Sequence, residues 1–421
     1  MTGATETLPP PLPEPQALPI DHGFAVRDGQ LLVAGQPLAL LAARAGQTPF
    51  YAYARDLIVR RVGELRAAFE DVAEIHSAIK ANPMPAVVDL LAQHIDGFDV
   101  ASGKELLLAL DSGMSPEHIS FAGPGKRPGE LAQAVAAEVL INIESIAEVR
   151  RLRKIAEALG KPARVSLRVN PDFELKYSGM KMGGGPKQFG IDVSLVASAL
   201  DEIRQCDHRF EGFHIYSGSQ NLNAAAIIES QNKTMALVAR LAENLAAPVL
   251  SINLGGGFGI PYFPGEKPLS LAPIADNLRR LHAHYAGDFP QARWIIELGR
   301  YLVGEAGIYV CRVLDKKPSY GHTFLIVDGG MHQHLAASGN LGQIIRKNYP
   351  VAIGNRMDEA NTERVSVVGP LCTPLDTLAD KVRLPAAEAG DFFVVFQSGA
   401  YGFSSSPHSF LSQPPAVEIV V

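Results

Sequence analysis

From residue 74 onward the chain alternates short apolar runs with amphipathic stretches. The runs at 74–82, 97–101, 118–122, 139–143, 163–170, 210–217, 249–255 and 294–298 are rich in Val, Ile, Leu and Phe and predict eight strands. Between nearly all of them apolar residues recur at helical spacing. This predicts helices over 86–93, 104–112, 145–159, 194–204, 225–245 and 273–285. Eight strands alternating with helices are what a (β/α)8 TIM-type barrel requires. A doubly wound open sheet is the structural alternative. The count of eight, and a polar residue at nearly every strand's C-terminal end, favour the barrel.

The pattern differs on either side of this span. Residues 1–22 carry Pro9-Pro-Pro11, Pro13, Pro15 and Pro19 among polar residues, the composition of a disordered leader. Asp28-Gly29 between two apolar runs signals a hairpin, and 48–53 reads as another strand. A helix follows, with Leu57, Val62, Leu65 and Phe69 at helical spacing. After Arg300 the helical pattern stops. Short strands at 306–314, 323–328, 364–368, 391–396 and 416–421 predict a second, all-β domain. The early strands have no barrel slot, so the segment 23–45 is assigned to that second domain. The α/β barrel then runs over 46–305 and the β-domain over 306–421.

Bulk composition narrows the partners. Over 421 residues, 47% are hydrophobic and 19% charged, with a net charge of −6, so a nucleic-acid surface is not expected. No apolar run is long enough to span a membrane, and no signal peptide is apparent. Cys206, Cys311 and Cys372 are odd in number and widely spaced. That argues against a disulfide framework or a zinc site and fits a reduced, cytoplasmic setting. His332 and His334 have no third ligand nearby in sequence, so no metal is expected.

Candidate chemistry enters at the strand ends, where barrel enzymes place their catalytic groups. Strand one ends in His76-Ser-Ala-Ile-Lys80-Ala-Asn-Pro83. A lysine in an apolar run needs either a carboxylate partner or a chemical task. Read in order, the other ends supply Asp99, Asn142 and Glu144, Arg168, His214 with Tyr216 and Ser219, Gly255-Gly256-Gly257, and Glu297 with Arg300. Glycines let backbone N–H groups approach an anion, and this fold binds phosphate after strands seven and eight. A plain tight turn is the alternative for the glycines. An ion pair with Arg300 is the alternative for Glu297, and Asp99 and Arg168 fit a structural ion-pair network as well. An amine for an aldehyde, a phosphate cradle and a carboxylate for a ring nitrogen together match the needs of pyridoxal 5'-phosphate.

From about residue 45 to the C-terminus the chain resembles the fold-type III pyridoxal-phosphate decarboxylases, the group of diaminopimelate and ornithine decarboxylases. The motifs are Ala78-Ile-Lys-Ala-Asn82, Gly97-Phe-Asp-Val-Ala-Ser102, Gly212-Phe-His-Ile-Tyr-Ser-Gly-Ser-Gln220, Gly255-Gly-Gly-Phe-Gly259, Glu297-Leu-Gly-Arg300, Gly369-Pro-Leu-Cys372 and Gly399-Ala-Tyr401. The resemblance implies that Lys80 carries the cofactor as a Schiff base and that Glu297 pairs with the pyridine nitrogen. It implies that Ser219, Gly255, Gly256, Gly257, Arg300 and Tyr401 hold the phosphate, with Asp99 and Arg168 supporting the lysine and ring. Cys372 resembles the cysteine that returns a proton after carbon dioxide leaves, contributed across a homodimer interface.

Three departures bear on the substrate. Tyr216 stands where the family has a ring-stacking histidine. Thr373 follows the motif cysteine where diaminopimelate decarboxylases have an acid. Their Arg-Pro-x-Leu-Tyr substrate segment is replaced by 327–340 and Ile345-Arg-Lys-Asn-Tyr-Pro350. These features resemble the exosortase-associated and glutamyl-carrier-protein decarboxylases. His332, Tyr349 and Asp376 are the expected substrate contacts, and the glycine- and lysine-rich segment 172–188 reads as an active-site cover. The expectation is α-decarboxylation of an amino acid, free or tethered to a carrier protein. Diaminopimelate decarboxylation proper, a racemase on the same barrel and a non-catalytic cofactor-binding regulator are the competing readings.

Overall fold

The computed structural model describes residues 23–421 apart from 175–179, 182, 244, 246, 264, 342, 344 and 345. The proline-rich leader lies outside the described residues, as does part of the 172–188 segment.

Eight parallel strands close into a barrel: β1 (Glu74–Ala78), β2 (Gly97–Val100), β3 (Ile119–Phe121), β4 (Leu140–Ile143), β5 (Arg164–Asn170), β6 (Arg209–His214), β7 (Ser251–Gly256) and β8 (Arg293–Leu298). Each pairs with the next, and β8 pairs back with β1, so no edge is left open. Successive side chains in a strand point to opposite faces. Phe98 and Val100, Ile141 and Ile143, Val165 and Leu167, and Ile296 and Leu298 are all buried on one face. Asp99, Asn142, Ser166 with Arg168, and Glu297 alternate with them and are equally buried. Polar groups out of water must find partners. Here they find each other across strands: Ser120 Oγ donates to Asp99 at 3.0 Å, and Ser166 donates to Asn142.

The helix caps follow from sequence. Ser102 and Ser145 each accept the N–H three residues on, from Glu105 and Glu148, at the starts of helices Gly103–Asp111 and Ile146–Leu159. The helix Pro128–Ala136, not foreseen from the spacing, starts with proline at its first position and with the Glu130 side chain folded back on the Arg127 N–H.

The second domain is built on one long strand, Gly307–Ser319, which pairs with His322–Val327 and with Phe392–Val395. The strand Phe50–Tyr53 belongs to this sheet: it runs antiparallel to Gly307–Val310 and parallel to Val417–Val420. It therefore lies outside the barrel, although its position falls within 46–305. The eight barrel slots are filled without it, and its four side chains are buried against the β-domain. The small sheet formed by Ala25–Arg27, Gln30–Val33 and Gln36–Pro37 attaches to the same domain through Leu31 N–H to the Gly354 carbonyl at 2.7 Å. Strands Val351–Ile353 and Thr377–Pro385, not anticipated from sequence, complete the domain.

Candidate active site

β1 does not run to Asn82. It ends at Ala78, and a single 3-10 turn, Ile79–Ala81, carries Lys80 out of the sheet. The lysine side chain is 43% exposed, so the expected buried lysine stands in the open barrel mouth instead. A loop from the second domain fixes the turn. Tyr401 N–H donates to the Ala81 carbonyl at 2.9 Å, Ser404 Oγ to the Lys80 carbonyl at 3.1 Å, and Asn82 Nδ2 to the Gly399 carbonyl at 3.0 Å.

Lys80 Nζ lies 3.7 Å from Asp99 Oδ2 and 3.7 Å from Glu297 Oε1. Both carboxylates are almost wholly buried. Burial disfavours the ammonium, but Glu297 and then Asp99 outweigh it and raise the lysine's pKa. The two carboxylates are driven apart. Burial and the neighbouring Glu297 push Asp99 well above the usual range, against the pull of Lys80. Burial also opposes the Glu297 anion, yet His214 and Lys80 hold its carboxyl well below the usual range. Asp99 Oδ2 and Glu297 Oε2 have no hydrogen-bond partner among the described residues. Buried oxygens left unpartnered beside a lysine are the mark of a site built to meet something else.

Arg168 Nη1 donates to Glu144 Oε1 at 2.9 Å, and Glu144 also accepts the Gly123 and Gly190 N–H groups. Glu144 thus anchors the arginine whose guanidinium adds positive charge near Glu297. Tyr216 is half-buried, and desolvation followed by the Glu297 charge raises its phenol pKa. Its ring lies against Gly255, where φ is +67° and a Cβ would crowd both the ring and the Ile215 carbonyl. Gly257, at φ +73°, packs on the Gly218 carbonyl beside Ser219, so the β7 turn fits against the 218–219 turn only without side chains. These glycines, Ser219 and Arg300 are the residues expected to hold an anion. Arg300 Nη1 donates to Tyr262 Oη at 2.6 Å, and its guanidinium lies 4.8 Å from the centre of the Tyr401 ring.

The three expected substrate contacts, His332, Tyr349 and Asp376, are all buried. Asp376 is buried, accepting the Met331 N–H at 2.6 Å and the Leu371 N–H at 2.9 Å, so it shapes the loop that carries Cys372. His332 is fully buried in the second domain, where burial pushes its pKa down to about 4. Tyr349 is buried against Tyr262, ring centres 4.8 Å apart, and so backs Arg300 from the protein side. Cys372 itself is exposed on its loop. Tyr262 was not singled out by sequence reasoning, and Glu144 and His214 were noted at their strand ends without a role. For His214 the signal was available, since it ends β6 in the same motif as Tyr216.

A second polar cluster lies at the opposite end of the barrel. Glu74, His76 and His118 bring donor atoms within 4.8 Å of one another. The Arg293 guanidinium already lies 3.4 Å from His118 Nδ1 and 3.5 Å from Glu74 Oε2, and it supplies the positive charge there.

The barrel mouth, with one lysine between two unequal carboxylates, has the form of a carbonyl-cofactor site. The chain belongs to the pyridoxal-dependent decarboxylases: residues 55–304 match the family's pyridoxal binding domain. Amino-acid decarboxylation is its reaction class. It is 42% identical over 381 residues to the L-glutamyl-[BtrI acyl-carrier protein] decarboxylase of Niallia circulans, covering 89% of each chain. It is 34% identical over 398 residues to the diaminopimelate decarboxylase of Aquifex aeolicus, covering 94% of this chain and 91% of that one. Among solved structures it resembles the diaminopimelate decarboxylase of M. jannaschii in complex with L-lysine, with 26% identity, a TM-score of 0.86, and coverage of 94% of this chain and 92% of that one. Among the described residues, no helix is long and apolar enough to cross a membrane.

Proposed function

We propose that the chain binds pyridoxal 5'-phosphate at Lys80 and removes the α-carboxylate of an amino acid presented on an acyl-carrier protein, with a glutamyl group as the first candidate. The observation that carries the cofactor assignment is the placement of Lys80 Nζ at 3.7 Å from both Asp99 and Glu297, two carboxylates that are almost wholly buried. The turn of Gly255, Gly256 and Gly257 packs closely on the Ile215, Glu297 and Gly218 carbonyls, and its backbone N–H groups are proposed, with Ser219, to take the phosphate. Arg300 and Tyr401 complete that set.

Bound pyridoxal phosphate supplies an electron sink, through its protonated ring, for the electrons left when carbon dioxide departs. The chain's own residues do the rest. Glu297, held ionised, would pair with the ring nitrogen and favour its protonated form. Lys80, open at the barrel mouth, would hold the cofactor through its amine. Asp99, its carboxyl pushed up by burial and the neighbouring Glu297, sits 3.7 Å from the same lysine. Tyr216 would pack against the cofactor ring, and the Glu297 charge and desolvation that raise its pKa favour the neutral phenol.

Cys372 is exposed on its loop, while Tyr401 is held to the turn that carries Lys80. The proposal places Cys372 in the mouth of a second copy, as the donor that returns a proton to the α-carbon. The thiols of Cys206, Cys311 and Cys372 are all free, and a reducing, cytoplasmic setting suits that role.

Carrier presentation is supported by the 42% identical relative and by the missing Arg-Pro-x-Leu-Tyr segment. The test is carbon dioxide release from L-glutamate, meso-diaminopimelate, L-lysine and a glutamyl-loaded acyl-carrier protein. The reading predicts release from the tethered substrate at least ~10-fold above any free amino acid. Faster release from free diaminopimelate would return the chain to the diaminopimelate group. Racemisation without carbon dioxide release, or cofactor binding with neither activity, would favour the other two alternatives.

A further inference from the structure

Two buried carboxylates, Asp99 and Glu297, share one lysine. Like charges so close cannot both be fully ionised at little cost, so something must decide which one holds the charge. The donors around them differ. Asp99 has one neutral donor, the Ser120 hydroxyl. Glu297 has His214, whose Nε2 lies 3.2 Å from Glu297 Oε2. The imidazole is 2% exposed and reaches inward from the end of β6. The strand between them, β7, sets Asn253 beside His214 and then passes into glycine, leaving nothing to block the approach.

His214 Nε2, His214 Nδ1 and Glu297 Oε2 make no hydrogen bond of standard geometry to any described residue, and the 3.2 Å approach of Nε2 to Oε2 is the charge contact between them. Burial, reinforced by the nearby Arg168 charge and only partly opposed by Glu297, pushes the imidazole pKa down. A neutral imidazole has one N–H, and the carboxylate that His214 Nε2 approaches among the described residues is Glu297. The groups facing this pair are Lys80, Asp99, Arg168, Glu144 and Tyr216. The two cations also favour the Glu297 anion, but Lys80 favours Asp99 equally at the same 3.7 Å. The donor that separates the two acids is His214.

We propose that His214 is a positioning residue for Glu297: its Nε2–H donates to Oε2, which keeps Glu297 rather than Asp99 as the anion and fixes the carboxylate's orientation. This rests on Glu297 serving the ring nitrogen, as proposed above.

The test compares His214→Phe, which removes the donor, with His214→Gln, which keeps one. The chain, freed of cofactor and labelled with 13C at the glutamate carboxyl, is titrated by NMR; the Glu297 resonance is the one missing from Glu297→Gln. His214→Phe should raise the Glu297 midpoint by at least about one pH unit, with His214→Gln staying near wild type. The dissociation constant for pyridoxal phosphate, measured across pH, should rise roughly 10-fold in His214→Phe and most steeply on the acid side. If His214→Phe does not accumulate folded, His214→Met is read the same way, being flexible and equally without a donor. A Glu297 midpoint unmoved in the donor-less variant overturns the inference and leaves the ring-nitrogen reading standing. Unchanged cofactor affinity and turnover in Glu297→Gln would remove that reading and the inference with it.

Discussion

The two ends of the barrel are both crowded with charge, and they handle it in opposite ways. At the base, where strands begin, each charge is matched. Arg293 lies within 3.5 Å of Glu74 and of His118, and Arg164 sets two nitrogens on the two oxygens of Glu211, at 2.7 and 3.0 Å. At the mouth the lysine is within hydrogen-bond distance of neither carboxylate, two buried oxygens have no partner, and two acids are held at opposite extremes. A protein that only needed to fold would not leave the second arrangement in place, because an unpartnered buried oxygen costs about 1–3 kcal/mol. Paired charge at the base is structure; unpaired charge at the mouth is chemistry held ready.

Removing the mouth's lysine should break the contrast most completely. Lys80→Ala is expected to abolish the visible absorbance of the bound cofactor and to lower carbon dioxide release at least ~10³-fold. Retained absorbance would remove Lys80 from its role. Glu297→Gln should leave the cofactor bound, though more weakly, and slow turnover roughly 10²- to 10³-fold. Wild-type turnover would place Glu297 with the structural ion pairs.

Cys372→Ala should cost roughly 10²-fold as a homodimer. Mixed with Lys80→Ala chains it should regain activity, because one of the two mouths in each mixed dimer then has both native residues. A mixed dimer as inactive as its parents would contradict a shared site. The base should respond least. Arg293→Ala is expected to lower stability by about 1 kcal/mol, read by denaturant titration, with kcat/KM within about twofold of wild type. A large activity loss without a stability loss would dissolve the distinction between the ends.

Much of this was legible in the chain. Lys80, Asp99, Arg168, Tyr216 and Glu297 each end an apolar run, and barrel closure brings such ends together whatever the helices between them do. What stayed hidden depends on partners distant in sequence or on burial within loops. The strand character of 50–53 was visible, but its partner is Gly307–Val310, more than two hundred residues on, and nothing local names it. Thr377–Pro385 carries Asp380, Lys381 and Arg383, with Lys381 at φ +51°, so its pattern is broken at its centre. Asp376 and His332 look like chemistry in sequence. They serve the loops around them because backbone N–H groups, or the core itself, reach them first. The His214–Glu297 contact spans two strand positions, a distance that motif reading along one strand does not measure.

The central claim is that Lys80 is the amine that carries the cofactor. The chain loaded with pyridoxal phosphate is reduced with borohydride, digested and mapped by mass spectrometry. The account predicts the pyridoxyl mass on the peptide containing Lys80 and no other, including that of Lys126, whose ammonium is already bound by the Gly123 and Asn142 carbonyls and Glu148. A label on a different lysine, or none on a chain that still releases carbon dioxide, would contradict it.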